Sequence, residues 1–330
     1  MHIKKLFIKA DNFYVEFITE CEDAIQFVRN KIDEFKRLTI NIEILDEINL
    51  PDIKFIYNDI NKYQISFCDK EKEMTLDSPW KEINTSTVLP MMFRYIVEWL
   101  RQTRGEIKVH ASSVEKNGKT ALFLAPSEGG KTTTAMAMCQ KFGCKLKSND
   151  AAVIKFEENI PIMLRGDTVF KVRFNGLEAY SKEIFNEKVD NSKQSNTPWF
   201  DKMKINPHDM GVYSNESELP VKYLFFIKLD TMVSGCSIKK YNDNTFERKE
   251  HWFKPKMQII QNIGGTIRGS DLIPIGNNGT ILPIEIPSID TNELCIKRIE
   301  FVNQLFEECE VYQLRGQLED ITEFINKTIS

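Results

Sequence analysis

The amino-acid sequence predicts an α/β fold with an α+β tendency: a P-loop core over residues 86–330, preceded by a small β-rich domain over residues 1–85. Three observations carry that expectation. Residues 125–133 read Ala125, Pro126, Ser127, Glu128, Gly129, Gly130, Lys131, Thr132 and Thr133, so four residues separate a small residue from a Gly-Lys-Thr triplet, the spacing of a phosphate-binding loop. An apolar run from Thr120 to Ala125 precedes the loop, and Ala135, Met136, Met138, Cys139 and Phe142 follow it at helical spacing. Residues 1–85, by contrast, alternate short strand-like runs with one helical pattern.

The elements follow in order. Strands are expected from Lys5 to Ile8, Phe13 to Phe17, Ile40 to Leu45, Ile53 to Tyr57 and Tyr63 to Phe67. One helix carries Ile25, Phe27, Val28, Ile32 and Phe35 at mostly three- and four-residue steps. A second starts near Pro90, a good first-turn residue, buries Met91, Met92, Tyr95, Ile96, Trp99 and Leu100, and ends before Gly105. Asn117-Gly118 is a tight-turn pair between residues 107–115 and 119–125, so the second Gly-Lys-Thr at 118–120 belongs to a hairpin and not to another phosphate loop. Gly143 stops the helix after the loop. Strands then run from Ala151 to Phe156 and from Pro161 to Leu164. Residues 187–219, polar and holding Pro198 and Pro207, read as a long surface excursion. Val221 to Leu229 is the most apolar strand of the C-terminal half; Ile296, Ile299, Val302, Leu305 and Phe306 mark a helix, Val311 to Leu314 a strand, and Leu318, Ile321, Phe324 and Ile325 a last helix.

The totals narrow the class. With 330 residues, 42% hydrophobic and 28% charged, the chain is long enough for about two domains and has an ordinary globular composition. A formal charge of −4 and a pI near 5.8 make no global case for nucleic acid or an anionic membrane. Seven scattered cysteines without a C-x-x-C pair argue against both a disulfide framework and a zinc site. No window approaches the ~18 apolar residues of a membrane span, and charge interrupts the N-terminal run too early for a signal peptide. The expected compartment is the cytoplasm.

The residue types in the loop suit phosphate. Small residues let successive backbone N–H groups curl around phosphate oxygens, Lys131 adds a mobile positive charge, and the Thr132 hydroxyl can ligate Mg²⁺. The competing reading is a Gly-rich turn between a strand and a helix. Phosphoryl transfer also needs a carboxylate near the metal or the attacking hydroxyl, and Asp150, just beyond the loop's helix, is the candidate; otherwise it is a turn aspartate capping local backbone. His110 alone reads more readily as packed or hydrogen-bonded than as catalytic.

Val109-His110-Ala111-Ser112-Ser113-Val114, the hairpin, the loop with Ser127, its helix, and Ser148-Asn149-Asp150-Ala151-Ala152-Val153-Ile154 together resemble the C-terminal kinase domain of HPr kinase/phosphorylase. They resemble still more closely the HPr-kinase-like proteins found beside peptide-modification genes. The match covers residues 106–157, with Val311 to Arg315 a looser likeness. The resemblance implies a core of the HPr kinase and phosphoenolpyruvate carboxykinase type. It also implies transfer of a phosphoryl group from ATP to a serine hydroxyl on a peptide or small protein, which in the peptide-modification setting would be a ribosomally made precursor peptide. Lys131 would hold the β/γ-phosphates, Thr132 and Asp150 the Mg²⁺, and His110 would lie beside the site, with Asp150 in the second place of the family's paired aspartates.

Three positions depart from the family pattern. Ala125 and Glu128 stand where glycines are usual, and Asn149 stands where the first aspartate is expected. An amide cannot accept a proton as a carboxylate does, so Asp150 would carry the chemistry or activity would fall. Asp167 is a further candidate for a metal-binding carboxylate, and Arg165 and Arg268 for phosphate contacts. Between residues 239 and 256, Lys239, Lys240, Arg248, Lys249, Lys254 and Lys256 gather with Trp252 and Phe253, as a docking patch for the acceptor or as a solvated basic loop. The leading expectation is an ATP-dependent serine kinase, with oligomers possible. Alternatives are a non-catalytic ATP-binding module and a small-molecule kinase or carboxykinase relative.

Overall fold

The computed structural model describes residues 3–36, 39, 41–173, 202–241 and 246–330. It is a mixed α/β structure with two mixed sheets, in line with the expected α/β class. Two compact units divide it: residues 1–106 with 260–299, and residues 107–259 with 300–330.

In the first unit, strands β1 (Lys4–Ala10), β2 (Phe13–Thr19), β3 (Ile42–Leu45), β4 (Ile53–Asn58), β5 (Gln64–Cys68) and β6 (Glu73–Asp77) form one sheet in the order β3-β1-β2-β4-β6-β5. Alternation in β1 buries Leu6, Ile8 and Ala10 on one face. The single expected helix is two, α1 (Glu22–Asn30) and α2 (Ile32–Lys36), because Lys31 between them, at φ −115° and ψ 23°, leaves helical geometry. After the short α3 (Trp80–Ile83), helix α4 (Val88–Thr103) is buried on nearly every side. Phe93 packs edge-on to Phe35 and Phe55, with ring centroids 5.2 and 5.5 Å away.

The unit therefore extends past residue 85, where the sequence expectation ended the first domain. A helix buried on nearly every side must be enclosed by other chain segments, and Ile267, Leu272, Leu282 and Ile284 return to the same core. Charge is buried there too. Arg101 pairs with Asp11 and, at 3.3 Å, with Glu98; Gln102 donates to Glu98 and accepts from Arg298 at 2.8 Å; Arg298 also pairs with Asp290. Such a chain is tolerable only because each charge finds partners.

The second unit centres on β15 (Leu219–Leu229). Parallel to it on one side lies β9 (Lys119–Leu124) and on the other β17 (Glu310–Gly316), with β16 (Cys236–Lys240) antiparallel to β17 at the rim. Outward from β9 come β8 (Ser112–Lys116) and β10 (Lys145–Ser148), both in antiparallel pairings. The first residues of β15 also pair with β12 (Ile160–Gly166), which leads to β11 (Ala152–Glu157) and β7 (Ile107–Val109). A separate ribbon joins β13 (Phe170–Arg173) and β14 (Lys202–Ile205). Residues 187–201 of the expected excursion lie outside the described residues; its later part holds β14 and a short 3₁₀ turn, Pro207–Met210.

Helix α5 (Lys131–Phe142) follows the loop and ends at Gly143, whose φ of 67° is the left-handed stop that glycine supplies. With α8 (Leu318–Ile329) it covers one face through Ala135, Met138, Ile321 and Ile325. Helices α6 (Phe246–Gly265) and α7 (Asn292–Glu308) contribute Trp252, Phe301 and Phe306 to this unit. Among the described residues no helix is long and apolar enough to cross a membrane.

Candidate functional site

Sheet register assembles the site. β9 delivers Leu124 to the loop, and because Ser112 lies opposite Phe123 in the antiparallel β8, the chain that enters β8 from His110 does so at the end of β9 where the loop begins. β10 adds the next strand, with Ser148 opposite Ser113. The expected single arm 107–115 is in fact two strands, β7 and β8, broken at His110-Ala111 because β7 leaves to pair with β11, Val109 opposite Ala152. Both registers converge on residues 148–151. Neighbouring strands lie about 4.8 Å apart, so this corner stands roughly 10 Å from the loop strand, at the same edge of the sheet.

The loop is folded upon itself. Pro126 accepts the Gly129 N–H at 3.1 Å, closing a four-residue turn in which Glu128 has φ 67°. That is the left-handed region a glycine would occupy without strain. Glu128 thus keeps the backbone shape of the glycine that the resemblance leads one to expect there. A Cβ on Gly129 would stand 2.6 Å from Cβ of Ala125, and one on Gly130, φ 100°, would overlap Leu229. The Gly129 carbonyl accepts the Leu229 N–H at 3.3 Å, so loop and β15 tip are pressed together. Lys131, only 7% exposed, turns back and donates to the carbonyls of Ala125 at 2.8 Å and Pro126 at 3.3 Å. Thr132 and Thr133 are half-buried in the first turn of α5, while Pro126, Ser127 and Glu128 are exposed.

At the neighbouring corner, Nδ1 of His110 lies 3.0 Å from the Asp150 carbonyl and 3.2 Å from its Oδ1. Both partners are acceptors, which fixes a proton on that nitrogen. The two side chains are about equally exposed, at 48% and 46%. Asn149, only 2% exposed, points inward: its amide donates to the Val169 carbonyl at 3.1 Å, and Oδ1 has no hydrogen-bond partner among the described residues. The backbone is tied down as well. Ser112 Oγ donates to the Asn149 carbonyl, and Ser148 Oγ bonds Ser113 Oγ at 2.7 Å. Gly166 lets β12 approach this corner, since a Cβ there would meet the Lys147 carbonyl at 2.7 Å. Burial lowers the pKa of Lys147, whose ammonium donates to the Ser217 carbonyl.

The remaining candidates fall apart from this corner or into local roles. Asp167 sits beside Asn149, its carbonyl accepting the Asn149 N–H at 2.6 Å, and its Oδ1 accepts the Val169 N–H at 3.0 Å to close a turn. Among the described residues no three His, Cys, Asp or Glu side chains gather around a metal position. Arg268 belongs to the first unit and pairs with Asp290 at 2.9 Å.

The 239–256 stretch is no loop in its second half. Trp252 lies on α6, 3% exposed, against Phe226 and Tyr241 at 5.8 and 5.6 Å; it is core, and of the aromatic pair only Phe253 is exposed. Lys240 pairs with Glu310 at 2.8 Å, and Lys256 covers Phe306 at 4.9 Å and donates to Asn303. Arg248 and Lys249 have side chains outside the described residues.

One pair was missed from sequence. Asp230 caps the tip of β15 and takes Nε and Nη2 of Arg315, from the end of β17, on one oxygen at 2.9 and 2.7 Å. Hydrogen bonding from Arg315, with the Met232 N–H next, holds the Asp230 carboxyl below the usual range. The available signal was a carboxylate directly ending the most apolar strand of the C-terminal half. No protein-family model matches the chain, and no curated protein matches it.

Proposed function

We propose that the protein is an ATP-dependent phosphotransferase of the HPr-kinase-like type that phosphorylates a serine hydroxyl on a peptide or small protein, a ribosomally made precursor peptide being the acceptor class the resemblance suggests. The observation that carries this reading is the 125–130 loop entering the N-terminus of α5, with Lys131 folded into it and the His110–Asp150 pair at the same sheet edge. Unpaired N–H groups at a helix start favour an anion. Phosphate oxygens would compete with the Ala125 and Pro126 carbonyls for the Lys131 ammonium.

Mg²⁺ fits the donor set: an oxygen-only pair, the Thr132 hydroxyl and the Asp150 carboxylate, with nucleotide phosphates completing the shell as is usual for this ion. Bound there, it would neutralise charge on the β- and γ-phosphates. Asp150 is then the group within reach of the acceptor's proton. The serine Oγ–H proton passes to its carboxylate as Oγ bonds phosphorus and the bond to the leaving ADP oxygen breaks. His110 donates to Asp150 and orients it. Unpaired cysteines throughout agree with a reducing cytoplasm, and neither nucleic acid nor a membrane is a partner in this reading.

Calorimetric titration with ATP and Mg²⁺ tests it: Lys131→Ala should lose most of the affinity, and unchanged binding would overturn the assignment. Asp150→Asn should abolish transfer of labelled γ-phosphate to serine peptides while keeping part of the nucleotide affinity. A second reading, a non-catalytic ATP-binding module, draws on the inward-facing Asn149, which leaves this corner one exposed carboxylate where the family has two. Tight ATP binding with no transfer to any acceptor would favour it.

A further inference from the structure

We propose that Arg315, aimed by Asp230, contacts the γ-phosphoryl group of the bound nucleotide; this rests on the reading of the 125–132 loop as an ATP site. The geometry runs from the loop outward. Gly129 and Gly130 press on Leu229, the last residue of β15, and Asp230 follows it directly, its own N–H bonded to the Gly316 carbonyl at 2.9 Å. Arg315 starts on β17, two strands from the loop strand β9. Its guanidinium does not stay over its own strand. Two hydrogen bonds to Oδ2 of Asp230 draw it one strand nearer the loop, while the Met232 N–H at 3.0 Å fixes the other carboxylate oxygen. Lys228, the register neighbour of Arg315, adds a second cation at this end of β15.

The arrangement has the chemistry of a phosphate contact. Asp230 takes one N–H from Nε and one from Nη2, which leaves both N–H of Nη1 and the second of Nη2, on the far side of a planar fork suited to phosphoryl oxygens. Arg315 is 53% exposed and Asp230 16%, so the carboxylate serves as the anchor and the guanidinium as the accessible head. An arginine supplied in cis that meets charge on the transferred group is a recurrent part of phosphoryl transfer. A carboxylate oxygen that holds two of its N–H groups pre-pays the ordering of that side chain.

The distinguishing measurement compares nucleotides with and without a γ-phosphate. Calorimetry with Mg²⁺ and a non-hydrolysable ATP analogue, and separately with Mg²⁺ and ADP, is run on parent, Arg315→Gln, Arg315→Lys and Asp230→Asn, with thermal melts showing that each is folded. Arg315→Gln should weaken the ATP analogue roughly tenfold or more, the effect of losing a charge-assisted bond, and leave ADP within about twofold. Arg315→Lys should recover part of the loss, and Asp230→Asn should reduce the preference for the ATP analogue by freeing the guanidinium. Equal losses for both nucleotides, or no loss for either, would overturn the inference while the ATP site stands. A parent that binds neither nucleotide would overturn both.

Discussion

The side-chain amide of Asn149 donates to the backbone carbonyl of Val169 at 3.1 Å, in a place where the asparagine is all but excluded from water. A carbonyl needs a donor opposite it, which an ionised carboxylate lacks, so the residue that stands where the resemblance leads one to expect an aspartate is there as a donor. Asn149→Asp should therefore not repair a weakened site. Replacing the donor by a carboxylate sets oxygen against oxygen and buries a charge, at a cost of about 2–3 kcal/mol. Urea denaturation should show a lower midpoint with no gain in phosphoryl transfer; a faster, equally stable variant would refute this.

Glu128 should be replaceable with profit. Its φ of 67° costs an L-residue about 1–2 kcal/mol, much of which glycine avoids. Glu128→Gly should raise stability by about 1 kcal/mol, after its greater unfolded-state entropy is deducted, and should tighten ATP binding by removing a negative charge from the loop. Melting and calorimetry on one preparation report both.

Acid should erase one surface pair. The hydrogen bond from Lys240 depresses the Glu310 pKa and, reciprocally, raises that of Lys240. A carboxylate lowered in the folded state contributes stability above its unfolded pKa and loses it as pH falls through the folded value. Glu310→Gln should thus be less stable than the parent at neutral pH, by under about 1 kcal/mol for so exposed a pair, and the gap should close in acid below about pH 4. A gap constant from pH 7 to pH 3 would contradict the assignment.

The cysteines should separate by reactivity. Burial pushes the thiols of Cys144 and Cys309 up to about 11 and about 12, and that of Cys139 higher still, whereas Cys68 is exposed. Since the thiolate is the nucleophile, brief alkylation near pH 8 should label Cys68 first and leave Cys139, Cys144 and Cys309 until the chain is unfolded. Peptide mapping reads the order.

What could be read from sequence was local. Asn117-Gly118, both at positive φ, and the Gly143 stop are written in a few adjacent residues, as is the strand, loop and helix around Lys131. Helix α6 escaped because Pro255 lacks the N–H a helix interior needs and its charges suggested solvent. β6, Glu73–Asp77, offered only Met74 and Leu76 as apolar signals. The Arg298–Gln102 bond spans 196 positions, and Arg315 meets Asp230 across 85; no periodicity reports such pairs.

The interleaving of the two units bears on how the chain is made. Emerging from a ribosome, residues 1–106 carry six strands and α4 but lack the stretch that supplies Ile267, Leu282 and the Arg298 partner of Gln102. The second unit waits longer, since β17 must slide between β15 and β16 before either edge is satisfied. Both units therefore finish late and nearly together, leaving apolar helix and open strand edges exposed during synthesis. A fragment cut at residue 106 would preserve that unfinished state, with the apolar residues of α4 left uncovered by Ile267, Leu272, Leu282 and Ile284.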